Sequence, residues 1–292
     1  MRVLVMYNPT AGTEDHRAED LIDEIRRAGH EVVRHVRRRK ELEAALELGA
    51  ELVVAAGGDG TVNKVAKVLR GTGVPFVIVP LGTANNTARA LAMNGLDWWS
   101  EGVAKPFDLA LARIDDDWKR FVEAIGFGAF PRVIDQAIED DEDAPKDRLT
   151  RDRRLLRARV AVSPLKRYEI HADGEDLSGE YFMVEAMNIA AIGPRVAMAP
   201  KASPHDGLID LVLAREEDRE PMLDALDLLV RGRQPSISLP STPATRIRIV
   251  GDMRRYHRDG DLRNRRTREV EISVEPGALQ VLVPPTSIRA SD

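Results

Sequence analysis

The chain contains no cysteine. That excludes disulfides, thiolate metal ligands and a cysteine nucleophile, and it fits a reducing compartment. Aromatic residues make up only 4% of the 292 residues, so the core has to be built from aliphatic side chains, for which a hydrophobic content of 43% suffices. No apolar run approaches the ~18 residues of a membrane span. The N-terminal run Val3 to Tyr7 is too short for the apolar segment of a signal peptide. A positive balance is missing as well: the formal charge is -5 and the pI about 5.8, which gives no reason to expect nucleic-acid binding. The six histidines do not cluster at ligand spacing, which argues against a histidine-held zinc. These absences leave a soluble, cytoplasmic protein that touches a membrane at most at its surface. Its length allows one large domain or two of ordinary size, and no internal repeat is visible.

What is present gathers around Leu52 to Lys64, Leu-Val-Val-Ala-Ala-Gly-Gly-Asp-Gly-Thr-Val-Asn-Lys. The first half is a short apolar run and predicts a buried strand. Gly57, Gly58 and Gly60 follow. Val62, Val65, Ala66 and Leu69 then fall on one face of a helix. Strand, glycine turn and helix in this order set a helix N-terminus beside backbone that another group can approach closely. Unbonded N–H groups and the positive dipole end make that a site for phosphate. Asp59 stands inside the turn. A carboxylate beside phosphate is repelled unless a metal or proton lies between them, so Asp59 suggests Mg²⁺. The alternative keeps the glycines for packing and Asp59 as a helix cap.

Around this stretch, strands alternate with helices. Val3 to Tyr7, Glu31 to Val36 and Pro75 to Val79 predict strands. Helical stripes follow at Ala18, Leu21, Ile22 and Ile25, at Leu42, Ala45 and Leu46, and at Ala84, Ala88 and Leu91. The pattern predicts a parallel, doubly wound sheet. Its turns Asn8 to Gly12, Gly57 to Thr61 and Leu81 to Asn86 should converge on one edge.

Past about residue 105 the texture changes. Phe107 to Arg113 and Lys119 to Ile125 predict strands, and Gly126, Gly128 and Pro131 interrupt the pattern. The acidic run Glu139 to Asp143 and the basic run Arg151 to Arg159 predict solvated, mobile surface. Beyond these, strands are expected at Arg167 to Ala172, Tyr181 to Ile189, Leu208 to Leu213, Thr245 to Val250, Glu269 to Val274 and Leu279 to Val283. Met222 to Val230 alone predicts a helix. The second half is therefore expected to be an antiparallel β domain. Pro200 to Gly207 is rich in breakers, and Asp259-Gly260-Asp261 carries a common hairpin signal. The latter lies within Arg254 to Arg268, which holds seven arginines, either a solvated face or a patch for anionic headgroups.

Gly-Gly-Asp-Gly-Thr matches neither the dinucleotide fingerprint nor the Walker pattern. It is similar to the signature shared by NAD kinases, 6-phosphofructokinases and the diacylglycerol and sphingosine kinases. Together with Asn8-Pro9-Thr10-Ala11-Gly12, Pro80 to Asn86, Pro200 to Gly207 and Asp259-Gly260-Asp261, it resembles the diacylglycerol kinase catalytic-domain family over nearly the whole chain. The order and spacing are those of the soluble bacterial lipid kinases, close to sphingosine kinases. The resemblance implies an N-terminal α/β nucleotide domain (1–118, possibly completed by 284–292), a C-terminal β-sandwich for the lipid (119–283), and an active site in the cleft between them. It implies ATP contacts from Asn8, from Gly57, Gly58, Asp59, Gly60, Thr61, Val62, Asn63 and Lys64, and from Thr83. It implies Mg²⁺ at Asp206 with main-chain help from Ser203 and Leu208, and Asp259 as general base for the lipid hydroxyl. Phosphoryl transfer needs this kind of positioning more than covalent catalysis.

Three positions depart from the family pattern. Asn86 stands where an aspartate is usual, Glu123 where relatives often have asparagine, and His35 or Val36 near a strand-end threonine that contacts nucleotide. The expected activity is an ATP- and Mg²⁺-dependent lipid kinase of phospholipid metabolism, peripheral at the inner membrane face, with a homodimer compatible with the sequence. Two alternatives remain: an NAD kinase, against which the Asn8 and Leu81 turns argue, and a nucleotide-binding regulator without turnover, which Asn86 keeps open.

Overall fold

Short β-branched runs that end in glycine, proline or asparagine turns set the N-terminal architecture. The computed structural model describes residues 1–11, 17–93, 101–139, 148–235, 237 and 239–285. Its elements run in the order β1 (Arg2–Tyr7), α1 (Ala18–Arg27), β2 (Glu31–Val36), α2 (Arg39–Leu46), β3 (Leu52–Gly57), α3 (Asp59–Leu69), β4 (Phe76–Pro80), α4 (Asn86–Ala90), β5 (Val103–Ile114), β6 (Asp117–Phe121) and β7 (Ala124–Gly128). Then follow α5 (Ala129–Glu139), α6 (Arg148–Val162), β8 (Lys166–Ala172), β9 (Glu175–Asp176), β10 (Gly179–Tyr181), β11 (Met183–Met187), β12 (Ala191–Ile192), β13 (Val196–Ala197), β14 (Ile209–Ala214) and α7 (Arg219–Val230). The last strands are β15 (Ser241–Ala244), β16 (Arg246–Met253), β17 (Tyr256–Arg258), β18 (Asp261–Arg263) and β19 (Thr267–Val283).

The chain forms two compact units. The first ends at Asp108 and resumes at Pro276, while the second covers Leu109–Glu275; the sequence reading set these changes at 118 and 284. Of the segment 284–292, residues 286–292 lie outside the described residues. In the first unit the strands stand in the order β2-β1-β3-β4, all parallel, and Val281 near the end of β19 pairs with Phe76 of β4. Strands β1 and β3 are buried almost throughout, as expected for a sheet covered on both faces. Val3, Val5, Leu52, Val54 and Val77 pack with Leu21 and Ile25 of α1.

The second unit holds a β-sandwich with a helical layer added. One sheet includes β10, β8, β16 and the first part of β19; the other has the order β15-β14-β11-β7-β17-β18. Ile170, Ile247, Ile249 and Val270 of the first sheet meet Ile125, Val184, Ala186 and Leu211 of the second in one core. The opposite face of the second sheet is covered too. Met183, Met187 and Val212 pack against Phe130 and Val133 of α5, Leu156 and Val160 of α6, and Met222, Leu226 and Leu229 of α7.

Several expectations fail here. Arg151 to Arg159 lies within helix α6, in which Arg153, Leu156 and Val160 are buried. Burial is possible because Arg153 donates to the carbonyls of Pro194 and Leu229, both at 3.0 Å, so its charge is hydrogen-bonded. Of the acidic run Glu139 to Asp143, only Glu139 is described. Pro131 sits in the first turn of α5, where a missing N–H costs nothing. The strand expected over Lys119 to Ile125 is two strands, parted at Val122 and Glu123. The strands expected at Glu269 to Val274 and Leu279 to Val283 are one, β19.

Candidate active site

Strand β3 is buried along its whole length, and the chain turns from Gly57 directly into α3, with Gly58 as cap and Asp59 as first helical residue. Thr61 and Val62 both donate their N–H groups to the Gly58 carbonyl, at 2.8 and 3.2 Å. The N–H groups of Asp59 and Gly60 are then the ones at the mouth of the helix, where the dipole is positive. The turn after β4 meets this mouth glycine to glycine. A Cβ on Gly58 would lie 3.2 Å from Gly82 Cα, and a Cβ on Gly82 would land on Gly58 Cα. The turn after β1 joins them, since a Cβ on Gly57 would lie 3.2 Å from the Asn8 Cβ. The structure thus brings the three turns together; Gly12 lies outside the described residues. In the order β2-β1-β3-β4 the chain winds one way from β1 and the other way from β3. The turns after β1 and β3 flank that switch point, the place where open α/β sheets take ligands.

Asp59 ties two of the turns. Its Oδ2 accepts the Asn86 N–H at 3.1 Å and its Oδ1 the Thr87 N–H at 3.0 Å. Asp59 does not cap its own helix α3, whose cap is Gly58; its carboxylate binds instead the first two N–H groups of α4. Asn85 has left-handed backbone (φ 53°). Its side chain accepts the Gly82 N–H at 2.9 Å and donates to the carbonyls of Pro80 and Gly82 at 3.2 and 2.6 Å. Asn8 Oδ1 accepts the N–H and hydroxyl of Thr10 at 3.3 and 3.0 Å. Val62 and Asn63 turn their side chains inward, Lys64 is exposed, and Thr83 is half-buried.

In the second unit, Asp259 and Gly260 both have positive φ, 51° and 74°. They form the two-residue turn between β17 and β18, the conformation that Asp-Gly favours. The same backbone carries the Asp259 carboxylate back over the sheet end. Its Oδ1 accepts the N–H groups of Val122 and Glu123 at 2.9 and 2.8 Å, and the Asp259 N–H donates to the Ala124 carbonyl at 2.9 Å. Those bonds fall at the break in the strand expected over 119–125. Asn188 clamps the break, donating from Nδ2 to the Val122 carbonyl at 2.9 Å and from its N–H to the Glu123 carbonyl at 2.8 Å. Asp261 is exposed and accepts from Arg263 at 3.0 Å.

Asp206 is exposed and accepts the Leu208 N–H at 3.0 Å; Ser203 is half-buried nearby in the chain. Asp210 is pushed up by burial and then by the neighbouring Asp206. Asp210 pairs with Met187, Met187 with Ala124, and Ile125 with Arg258. Asp206 and Asp259 therefore leave the same end of one sheet, with their strands three apart, roughly 14 Å at ordinary strand spacing.

Sequence reasoning missed a buried pair beneath the Asp259 turn. Glu185 Oε2 and His257 Nε2 are joined at 2.7 Å, with side chains 0% and 2% exposed. Burial pushes the Glu185 carboxyl up, against the pull of His257. Phe130 lies against the imidazole, ring centroids 5.5 Å apart, and Gly126 is required because a Cβ there would fall on the Glu185 carboxylate. The one signal was an acid inside the apolar stretch Met183–Met187.

The first unit thus presents a glycine-lined helix mouth at a switch point, and the second a carboxylate fixed by main-chain donors on a β-sandwich. The diacylglycerol kinase catalytic domain matches residues 2–114, and the YegS C-terminal NAD kinase beta sandwich-like domain residues 145–283. A diacylglycerol kinase of Mycobacterium tuberculosis (strain ATCC 25618 / H37Rv) is 28% identical over 286 residues, 92% of this chain and 86% of its own. A Cronobacter sakazakii protein described as "Probable lipid kinase YegS-like" is 30% identical over 252 residues, 82% and 81% of the two chains. A diacylglycerol kinase structure from Bacillus anthracis str. Sterne gives a TM-score of 0.74 at 20% identity, covering 98% of each chain. An NAD kinase from Archaeoglobus fulgidus in complex with ATP gives 0.56 at 13% identity, covering 99% and 96%. Both structures share the fold. The chain belongs to the diacylglycerol kinase catalytic-domain family of lipid kinases. No helix among the described residues is long and apolar enough to cross a membrane.

Proposed function

We propose that the protein transfers the γ-phosphoryl group of ATP to a hydroxyl of a diacylglycerol-like or sphingoid lipid. The observation that carries this reading is Asp259, a carboxylate locked by two main-chain donors in left-handed backbone at a sheet end. On this reading the N–H groups of Asp59 and Gly60 receive phosphate oxygens, and the missing side chains of Gly57, Gly58 and Gly60 let the phosphates reach the backbone. Asp259 takes the hydroxyl proton late, as the new phosphorus–oxygen bond makes it acidic. Asp206, with the main chain of Ser203 and Leu208, would hold Mg²⁺, a sparse set of the kind Mg²⁺ uses with water and phosphate oxygens. The bound ion would neutralise phosphate charge.

Two other readings have support. NAD phosphorylation has the shared NAD kinase fold, and nucleotide binding without turnover has Asn86 in place of the usual aspartate. Labelled ATP with Mg²⁺ is offered diacylglycerol, a sphingoid base, NAD, or no acceptor. Label in a lipid is the expected result. Label in NAD alone, or ATP binding with no acceptor labelled, overturns the proposal. Contact with an anionic membrane surface belongs to the same reading, and vesicle binding should fall with salt.

A further inference from the structure

The seven arginines of 254–268 are less available than their number suggests. Arg254 and Arg266 pair with Asp252, Arg263 with Asp261, and Arg265 with Asp115, at 2.7 to 3.2 Å. Two of the seven, Arg254 and Arg255, line a place where cations from other elements gather as well. A cavity of about 270 Å³ is lined by Gly128, Arg132, Arg159, Ser163, Lys166 and Arg254, with Pro164 and Arg255 completing it. Five of these residues are cations and none is an acid.

A cluster of cations on a surface is ordinarily just solvated. Two buried atoms argue otherwise here. The Ser163 hydroxyl, on a residue 3% exposed, has no hydrogen-bond partner, and neither does the buried Nε of Arg159. Buried polar groups are almost always satisfied, so both point to a ligand rich in acceptors. The carboxyl end of α6, whose dipole would repel an anion, is covered by Arg219, which donates to the carbonyls of Val160 and Ser163. Lys166 is depressed by burial first and by Arg132 next, with Asp252 acting the other way.

We propose that this cavity binds a phosphate group, taken either as free phosphate or as the headgroup of an anionic lipid. Arg132, Arg159 and Lys166 supply the charge, with Arg254 at the rim shared with Asp252, and Ser163 and the Arg159 Nε supply the short polar contacts. Guanidinium groups suit phosphate oxygens by their paired donors.

The test uses the full chain without ATP or turnover, so it stands apart from the kinase assay. Inorganic phosphate is titrated at fixed ionic strength against chloride while the melting temperature is followed. In parallel, the protein is sedimented with phosphatidylcholine vesicles, plain or doped with phosphatidate. The variants are Arg132→Gln, Ser163→Ala and Arg254→Gln. Ser163→Ala removes an unpartnered buried hydroxyl and Arg254 is exposed, so both should fold even if Arg132→Gln does not. Phosphate should raise the wild-type melting temperature beyond chloride, and apparent affinity should fall about tenfold in Arg132→Gln and less in the other two. Variant-sensitive phosphate stabilisation without variant-sensitive vesicle binding identifies free phosphate. Variant-sensitive binding to phosphatidate vesicles identifies the headgroup. Phosphate no better than chloride, with vesicle binding the same in all proteins, overturns the proposal.

Discussion

Asp59 separates two accounts of the glycine turn. In one, its carboxylate serves the nucleotide or a metal; in the other, it locks the turn after β4 by accepting the N–H groups of Asn86 and Thr87. Asp59→Asn keeps the shape and removes the charge. The amide has one acceptor oxygen, so one of the two N–H groups must then face a donor. Thr87 is fully buried, and water cannot take over there. Losing one charge-assisted bond and leaving a buried donor unsatisfied should cost about 2–4 kcal/mol. That is a large share of a typical folding free energy and lowers the melting temperature on the order of 10 °C. ATP affinity, measured by calorimetry well below the melting transition, should fall by less than about tenfold if the residual turn still forms. A variant that melts like the wild type and fails to bind ATP would refute this reasoning and assign the carboxylate to the ligand.

Gly58→Val, folded but with a side chain at the mouth of α3, should bind ATP far more weakly; unchanged affinity by calorimetry would remove the phosphate from this turn. Asp259→Asn should retain ATP binding and lose ~10²–10⁴ in turnover, while Asp261→Asn, an exposed partner of Arg263, should do much less; the reverse order would reassign the base. Gly126→Ala drives a methyl onto the Glu185 carboxylate, so it should lower both melting temperature and turnover; loss of neither would mean the pair moves aside freely. Asp173 accepts the N–H groups of Thr245 and Arg246 at 2.8 and 2.9 Å, and those bonds hold its carboxyl below the usual range. A lowered folded-state value gives stability that is full above the unfolded value and drains as pH falls below about 4. The stability gap between wild type and Asp173→Asn should therefore be constant at neutral pH and close on acidification; a gap that widens in acid contradicts the sign.

The first unit was legible because its strands are parallel and covered on both faces, which writes them as short continuous apolar runs, each stopped by residues that turn the chain. Even the convergence of three turns follows from the order of elements, since parallel strands with short right-handed connections share an edge. Of the helical layer of the second unit only α7 was legible, as the stretch Met222 to Val230; α5 and α6 were not. Helix α6 is so rich in arginine that its apolar positions are swamped, and the arginine that is buried, Arg153, is compensated by carbonyls of residues 41 and 76 positions away. Nothing within a helix-length window reports such partners.

The Asp259 turn shows where local and long-range information divide. Asp-Gly predicts a tight hairpin, and the structure has one. The general-base role came from resemblance to relatives, and the two readings looked like rivals. They depend on the same backbone. An aspartate in left-handed conformation makes the turn and also carries the carboxylate back to two N–H groups 136 and 137 residues earlier. Those donors are available only because the strand at Val122 and Glu123 is interrupted, and Asn188 holds the interruption open. Beneath it, Glu185 and His257 meet across 72 residues, and Gly126 is empty to admit them. A hairpin serving only to reverse the chain would need none of these partners, so what distinguishes this Asp-Gly from an ordinary one is written largely at Val122, Glu185, Asn188 and Gly126, all distant from the motif itself.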